Sequence, residues 1–170
     1  KEFYGLTYLV APGVFIPRPE TELLVEQVIR LTEPKPDNRQ WTIADVGTGT
    51  GAIAVALAVH LSHIQVFATD ISPEAIRMAT LNRDLHGVTE RAIPLLGDLL
   101  NPLPQSVDMI VANLPYIPSE EIAILEPEIC LYEPRAALDG GLHGVDVIQR
   151  LLQDAPAKLK RGGTIILEVD

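Results

Sequence analysis

Strand and helix patterns alternate along most of the chain, and this alternation constrains the fold more than any other feature. From Trp41 onward, short apolar runs typical of buried strands are separated by helical patterns or glycine-containing turns. The predicted strands are residues 41–46, 65–69, 92–96, 107–112 and 164–169, and the predicted helices are 52–60, 73–86 and 145–159. Strands connected in this way form parallel sheets with helices on both faces. The sequence therefore predicts an α/β fold with a doubly wound, mostly parallel sheet.

A segment of different character precedes this core. Residues 1–17 show no clear period, whereas a helical pattern begins near Pro19, with leucine and valine at positions 23, 24, 28 and 31. Residues 34–40 read as a polar linker. We therefore divide the chain into an N-terminal segment with a lead-in helix, residues 1–40, and a catalytic core, residues 41–170. Because the last predicted strand would leave an open sheet edge, we expect the core to lack C-terminal strands and the chain to be truncated.

Charge and composition exclude several classes of function. The net charge is −10, from 13 basic and 23 acidic residues, and no basic stripe occurs, which disfavours extended nucleic-acid binding but leaves open a pocket for one base. The single cysteine excludes an internal disulfide, and the histidines lack metal-ligand spacing, so no metal site is predicted. The longest apolar run is far shorter than the roughly 20 residues that a membrane helix needs. We expect a cytoplasmic protein.

A glycine-rich loop joins the first core strand to the first core helix, with the sequence Asp-Val-Gly-Thr-Gly-Thr-Gly at residues 45–51. Glycines let the backbone turn sharply and approach a ligand, and the helix N-terminus offers free N–H groups. Asp70 ends the second strand, where a carboxylate can accept hydrogen bonds from both hydroxyls of a ribose. These residues predict a nucleotide-containing cofactor at the carboxyl edge of the sheet.

The loop alone does not distinguish between cofactors, because Gly47, Gly49 and Ala52 also fit the dinucleotide pattern G-x-G-x-x-G/A. The carboxylate of Asp45 would repel a pyrophosphate, but it would attract the ammonium group of a methionine-like tail. An alternative is that Asp45 only binds the loop backbone. With the tetrapeptide described next, this charge favours S-adenosylmethionine over NAD.

The tetrapeptide Asn113-Leu114-Pro115-Tyr116 follows the fourth core strand. Its residues suit one task, which is to hold a planar NH2 group. The Asn113 oxygen and the Leu114 carbonyl can each accept one N–H, Pro115 keeps Leu114 extended, and the Tyr116 ring offers a stacking surface. Two acceptors stabilise the positive charge that develops when such a nitrogen attacks a methyl group. A strand-ending turn with a buried tyrosine is the alternative.

These motifs resemble the class I S-adenosylmethionine-dependent methyltransferases of the Asn-Pro-Pro-Tyr type. Among them, the chain most resembles the protein-(glutamine-N5) methyltransferases that modify peptide chain release factors. The resemblance is carried by Phe-Ile-Pro-Arg-Pro-Glu-Thr-Glu at residues 15–22, the glycine loop, the tetrapeptide, and Tyr132-Glu133-Pro134 with Ala137-Leu138 and Gly140-Gly141. One departure is Leu114, where the family has proline; the carbonyl is kept and one φ restraint is lost.

The resemblance implies a Rossmann-like enzyme that methylates the side-chain amide of a release-factor glutamine, with no membrane partner. Cofactor contacts are expected from Asp45, Gly47, Thr48, Gly49, Thr50, Gly51, Asp70, Leu99 and Asn113, and contacts with the substrate amide from Asn113, Leu114, Pro115 and Tyr116. Arg18 and Thr21 either line the cleft or only begin a helix, and Glu133 either binds backbone near the site or is a solvated acid. Two other functions remain open: an adenine or cytosine amino methyltransferase acting on DNA or RNA, and a non-catalytic fragment that binds S-adenosylmethionine.

Overall fold

The computed structural model describes residues 1–33, 39–126 and 133–169. The strands in these ranges are β1 Glu2–Phe3, β2 Leu6–Thr7, β3 Trp41–Val46, β4 Ile64–Asp70, β5 Ala92–Leu96, β6 Val107–Asn113 and β7 Leu159–Glu168. The α-helices are α1 Glu22–Leu31, α2 Ala52–His60, α3 Pro73–Leu85 and α4 Asp146–Lys158, and short 3-10 turns span Pro19–Thr21, Ile122–Ile124 and Arg135–Ala137. Most of the predicted linker at 34–40, Cys130 and Tyr132 lie outside the described residues.

The central sheet has five strands in the order β5-β4-β3-β6-β7, and all four strand pairs are parallel. The chain runs outward from β3 to β5 and then returns to place β6 on the other side of β3. At such a reversal the loops after neighbouring strands diverge and leave a crevice at the carboxyl edge of the sheet. The predicted doubly wound parallel sheet is confirmed.

Successive side chains along each strand point to opposite faces of the sheet, and they pack into two separate hydrophobic cores. Ile43, Met109 and Val111 face one core together with α1 and α2, whereas Ala44 and Ile110 face the other core together with α4. Helix α2 is apolar all round because it lies among α1, α3 and the sheet, and its residues from Ala52 to Ala58 are buried. Both faces of the sheet are therefore covered by packed side chains and helices. A ligand can approach the sheet at the carboxyl ends of its strands.

The structure differs from the sequence interpretation at two places, the buried face of α1 and the start of the last strand. Leu23 and Leu31, which were expected on the buried face of α1, are 61% and 43% exposed; the stripe that faces the core is Leu24, Val25 and Val28. Leu24 and Val28 of the predicted pattern are thus confirmed as buried, and the stripe continues at both ends into buried threonines, Thr21 and Thr32, which an apolar pattern does not reveal. From the sequence, Gly162 and Gly163 are also expected to form a turn before the last strand, but no separate turn occurs there. The last strand begins at Leu159, and these glycines lie in an irregularity between the pairs Val107–Leu159 and Met109–Thr164.

The N-terminal segment, which shows no period, forms a hairpin of β1 and β2 that packs on the core. Tyr4 and Gly5 have φ angles of 48° and 71°, as a tight two-residue hairpin turn requires. Phe3 and Tyr8 are buried in the core that contains α2, and the Tyr8 hydroxyl donates to the Ala52 carbonyl (3.1 Å). Residues 9–21 then run to the carboxyl edge of the sheet. Within the described ranges, no helix combines the length and the apolar character needed to cross a bilayer.

Candidate active site

A cavity of about 330 Å³ opens at the carboxyl edge of the sheet, beside the reversal between β3 and β6. Its walls come from the loops after β3, β4, β5 and β6, from residues 13–21, and from residues 134–138. The predicted site residues in these walls are Gly47, Thr48, Gly49, Thr50, Asp70, Leu99, Asn113, Leu114, Pro115 and Tyr116. The glycine loop and the tetrapeptide thus face one space, as the sequence interpretation requires. Asp45 and Gly51 do not line it.

Asp70 lies at the cavity edge and is tied to the backbone on both sides. Its Oδ2 accepts from the Gly49 N–H and its Oδ1 from the Ser72 N–H, both at 2.9 Å. Burial raises the pKa of Asp70, and these backbone hydrogen bonds partly oppose the rise. Each carboxylate oxygen has a further lone pair available, so the group can accept the hydroxyls of a ribose.

Asp45 lies beneath the glycine loop and is fully buried. Its Oδ2 accepts from the Thr48 hydroxyl (2.6 Å) and from the Ala54 N–H (3.2 Å), whereas its Oδ1 accepts from no described residue. Burial, the main cause, raises the pKa of Asp45 to about 7. This geometry agrees with the alternative interpretation of Asp45, in which its carboxylate only binds the glycine loop and the helix that follows. The prediction that Asp45 contacts the cofactor directly gains no support from this geometry, because Asp45 does not line the cavity.

Gly51 also serves the scaffold rather than the cavity wall. Its φ angle is +79°, and a Cβ built on it would lie 3.0 Å from both Cα and Cβ of Ala79 on α3. The glycine therefore lets the start of α2 pack closely against α3 and ends the loop in a left-handed conformation.

The Asn113 side chain is held by two partners from distant parts of the chain. Its Nδ2 donates to Glu168 Oε1 (2.8 Å) and to Thr21 Oγ1 (3.0 Å), and the Thr21 hydroxyl donates to the same Glu168 oxygen (3.1 Å). Asn113 Oδ1 accepts no hydrogen bond from the described residues and is left for an incoming N–H. Glu168 was missed by the sequence reasoning; the signal was a lone acid at the end of an apolar strand, directly across from Asn113 in the parallel register.

Leu114, the departure from the family pattern, packs on the glycine loop. Its Cδ2 would lie only 3.0 Å from a Cβ on Gly47, so a side chain at Gly47 would collide with it. Residues 138–144 pack closely against the backbone that follows Leu114. A Cβ built on Gly140 would lie 2.8 Å from the Pro115 carbonyl oxygen. Ile117 N–H also donates to the Leu138 carbonyl (3.1 Å). The tetrapeptide is therefore fixed on both sides.

Leu99 closes the opposite end of the cavity. It is buried and has a φ angle of 47°, an uncommon conformation for a residue with a branched side chain. The preceding Asp98 pairs with Arg150 of α4, and both line the cavity. Such backbone strain is typical of sites where a ligand constrains the wall.

The cavity also has apolar walls, which include Phe15, Pro17, Pro134 and Leu138. Glu133 joins these walls from outside: its Oε1 accepts from Arg18 (2.8 Å) and its Oε2 from the Ile16 N–H (3.3 Å). Thr21 thus lines the cleft, whereas Arg18 pairs with Glu133 behind it, and Glu133 binds backbone near the site. Among the described residues, no group of three or more potential ligands could hold a metal ion.

Comparison with known proteins places this geometry in a family. The family model described as ribosomal protein L11 methyltransferase (PrmA) matches residues 21–130, which is more than half of the chain. The chain belongs to this methyltransferase family. The matched range contains the glycine loop, Asp70, Leu99 and the tetrapeptide.

The curated relatives are similar to almost the whole of this chain. The release factor glutamine methyltransferase of Geobacter sulfurreducens is 42% identical over 170 residues, which are 99% of this chain and 57% of that protein. The release factor glutamine methyltransferase of Moorella thermoacetica is 44% identical over 170 residues, 99% of this chain and 59% of that protein. The chain therefore spans somewhat more than half the length of these relatives.

A solved structure shows the fold independently. The 16S rRNA N2 G1207 methyltransferase RsmC of T. thermophilus, in complex with AdoMet and guanosine, superposes with a TM-score of 0.69 over 98% of this chain and 40% of that protein, at 22% identity. The predicted class I, Rossmann-like methyltransferase fold is confirmed.

Proposed function

We propose that this chain is the core of an enzyme that transfers a methyl group from S-adenosylmethionine to the side-chain amide nitrogen of a glutamine in a peptide chain release factor. The observation that carries the proposal is that Asn113 and Tyr116 share a cavity with the glycine loop, with Asn113 Oδ1 left to accept an N–H. The names of the curated relatives support the choice of substrate. The reaction takes place in the cytoplasm, where release factors work.

The donor end of the cavity fits S-adenosylmethionine. Asp70 presents carboxylate oxygens for the ribose, the backbone of Gly47–Thr50 presents a close approach for the methionine part, and buried Leu99 offers an apolar wall for the adenine. When bound, S-adenosylmethionine supplies an activated methyl group on its sulfonium sulfur. Asp45 acts from beneath by holding Thr48 and Ala54.

At the acceptor end, the chain's own groups orient and polarise the substrate amide. Asn113 Oδ1 accepts one N–H of the glutamine and the Leu114 carbonyl accepts the other, which favours a pyramidal nitrogen and stabilises the positive charge that develops on it as it attacks the methyl group. Once the nitrogen–carbon bond has formed, the nitrogen releases one of its two protons and the product is a neutral N-methyl amide. Tyr116 stacks on the amide plane and aligns the nitrogen with the methyl group. The apolar walls around Phe15 and Pro134 exclude water from the reacting atoms.

An amino methyltransferase for DNA or RNA is the second candidate, because the same tetrapeptide could hold a flipped base against Tyr116. The charge of the described cavity argues against it. Arg150 is the one cation among its described wall residues, and it is already paired with Asp98. A nucleic acid strand would meet no cluster of cations for its phosphates, and the whole chain carries a net charge of −10.

The proposal is tested by offering radiolabelled S-adenosylmethionine with a purified release factor, DNA and RNA in parallel. We expect label in one glutamine of the release factor. Label in nucleic acid would select the second candidate, and calorimetric binding of S-adenosylmethionine without any transfer would indicate a non-catalytic fragment. Tighter binding of NAD than of S-adenosylmethionine would overturn the cofactor assignment.

Asn113→Ala separates chemistry from cofactor binding. We expect this variant to reduce turnover by about 100-fold or more, the size of effect seen when one stabilising group in a transition state is removed. The affinity for S-adenosylmethionine should fall much less than turnover, because the loop and Asp70 are untouched and Asn113 is only one of several expected cofactor contacts. Equal losses of turnover and cofactor affinity would contradict the role given to Asn113.

A further inference from the structure

The contacts of Asn113 extend beyond the tetrapeptide to Thr21, in the motif at residues 15–22, and to Glu168, which no motif includes. Glu168 is the last residue of β7 and lies opposite Asn113 across the parallel pair. Thr21 lies at the junction between a 3-10 turn and α1 and is 5% exposed. The three side chains form a closed triangle in which every distance is between 2.8 and 3.1 Å.

A carboxamide can occupy its site in two orientations, because its oxygen and its NH2 group have nearly the same shape. The triangle removes this ambiguity. An ionised Glu168 can only accept, so the Nδ2 of Asn113 must face it. The Thr21 hydroxyl donates its hydrogen to Glu168. Its oxygen can therefore only accept from Asn113, and it does so through a lone pair. Both N–H groups of Asn113 are thus used on the side away from the cavity.

We propose that Glu168 and Thr21 are positioning residues that select the orientation of the Asn113 amide and so present its oxygen to the substrate nitrogen. In the opposite orientation Nδ2 would direct an N–H at the N–H of the substrate, and two donors would meet. The catalytic consequence rests on the proposed function, whereas the orientation itself is a property of this chain alone.

The arrangement is costly, which argues that Glu168 is kept for the site rather than for the fold. Its second oxygen, Oε2, is buried and accepts no hydrogen bond from the described residues. Burial raises the pKa of Glu168, and the nearby carboxylate of Glu20 raises it further. A buried carboxylate with an unpaired oxygen destabilises a fold, and an apolar residue of similar length avoids that penalty.

The orientation can be measured directly from the side-chain amide of Asn113 in the 15N-labelled protein, with Asn113→Ser identifying the signal by its loss. In the wild type we expect both amide protons to be shifted downfield and protected from exchange with water. In Glu168→Met and in Thr21→Val the signals should move towards those of a solvated asparagine. Unchanged amide signals in both variants would overturn the proposal, whatever happens to activity.

The kinetic test uses conservative rescue. We expect Glu168→Met and Thr21→Val to lower kcat for methyl transfer by roughly 10- to 100-fold, since misaligned reacting groups lose rate on that scale. Thr21→Ser keeps the hydroxyl and should stay within about threefold of the wild type, and cofactor affinity should change little in all three. The matched controls are Thr32→Val, whose buried hydroxyl bonds to Val28 outside the cavity, and Glu22→Met, whose carboxylate accepts from Tyr4.

These readouts separate the two proposals. If the wild-type protein methylates no glutamine, the proposed function is wrong. The NMR signals of the Asn113 side-chain amide would still show whether Glu168 and Thr21 select its orientation. A loss of kcat in Thr32→Val as large as in Thr21→Val would show that the effect is structural and would overturn the positioning role. If Glu168→Met does not fold, the pair Thr21→Val and Thr21→Ser decides the question.

Discussion

Two aspartates flank the glycine loop, and their surroundings give them different tasks. Asp70 lies at the cavity edge, held by backbone N–H groups that leave lone pairs for a ligand. Asp45 is closed off beneath the loop, with one oxygen that accepts from no described residue. A carboxylate with so few partners is ionised at a cost in free energy, and that cost is visible as a dependence of stability on pH.

Replacing Asp45 with asparagine should remove part of that dependence. Burial raises the pKa of Asp45 to about 7, whereas in the unfolded chain it is ~3.9. The folded state therefore binds the proton more tightly, and the resulting stabilisation is complete below about pH 4 and is lost as the pH rises through about 7. In urea unfolding across this range, the wild type should lose stability relative to Asp45→Asn, and the two profiles should run parallel above about pH 8.

The control for this measurement is Asp154→Asn, which alters an exposed carboxylate on α4. It should keep the pH profile of the wild type, because this substitution removes a carboxylate from the surface and leaves Asp45 and its partners unchanged. A constant difference between wild type and Asp45→Asn across the range would contradict the buried, proton-binding state of Asp45.

The residue scale also shows where sequence reasoning ends. Asn113 was predicted because its strand and tetrapeptide are local in sequence, and both are where the prediction put them. Glu168 was not predicted, because its contact with Asn113 joins residues 55 positions apart through the pairing of β6 with β7. For Asp45 the sequence left open whether the carboxylate contacts a ligand or binds the loop backbone, because the side of the loop that it faces depends on the packing of α2.

At the scale of elements, local patterns were most informative where one face or one loop decides the structure. The bounds of β3 and α2 match the prediction to the residue, since an apolar strand, a glycine loop and an apolar helix follow one another directly. The start of β7 was missed because its first pair, Val107 with Leu159, depends on a partner strand and not on local preference. Pairing across a sheet is invisible to a local pattern.

The close approach of α2 and α3 predicts a specific sensitivity at Gly51. Gly51→Ala should destabilise the protein by ~2–5 kcal/mol, of which ~1–2 come from the left-handed backbone and ~1–3 from overpacking against Ala79. Gly87→Ala is the matched control: its φ angle is +65°, but a Cβ there meets nothing within 4 Å.

Urea denaturation of the two alanine variants isolates the packing contribution. Gly87→Ala should lose only the backbone contribution of ~1–2 kcal/mol. Equal losses in the two variants would mean that α3 moves aside to accommodate the new methyl group. Since Gly51 also ends the cofactor loop, its alanine variant should bind S-adenosylmethionine more weakly than the Gly87 variant.

At the scale of the whole molecule, the cavity is a product of long-range contacts. Segments 13–21 and 134–138 both contribute to its walls although more than a hundred residues separate them, and Glu133 joins them through Ile16 and Arg18. The sequence motifs and the family resemblance pointed to most of these residues. The contacts between the two segments could not be predicted, because no local sequence pattern in either segment indicates which distant residues it will pack against.

Removing the arginine from this junction should loosen one wall without unfolding the protein. In Arg18→Met we expect the Ile16 amide to exchange with water roughly 2- to 5-fold faster, as suits a partly exposed ion pair worth less than ~1 kcal/mol. Global stability should change by a similarly small amount. Hydrogen exchange followed by NMR makes the measurement, with Arg77→Met, which breaks an exposed pair with Glu74, as control. Unaltered protection of Ile16 would show that the junction does not need the guanidinium.

The reversal of strand order between β3 and β6 has an evolutionary consequence. Apart from Asn113, the residues expected to contact the cofactor, from Asp45 to Leu99, precede β6 in the chain, whereas the tetrapeptide and Glu168 belong to the ends of β6 and β7 and the loop after β6. In the proposed enzyme, the groups that would hold the methyl donor and those that would hold the nucleophile therefore come largely from different stretches of the chain, so substitutions in one stretch can alter which nucleophile is admitted while leaving most of the donor contacts in place. A crossover between genes within residues 100–106 would exchange nearly all of one stretch, with only residues 13–21 left to co-adapt.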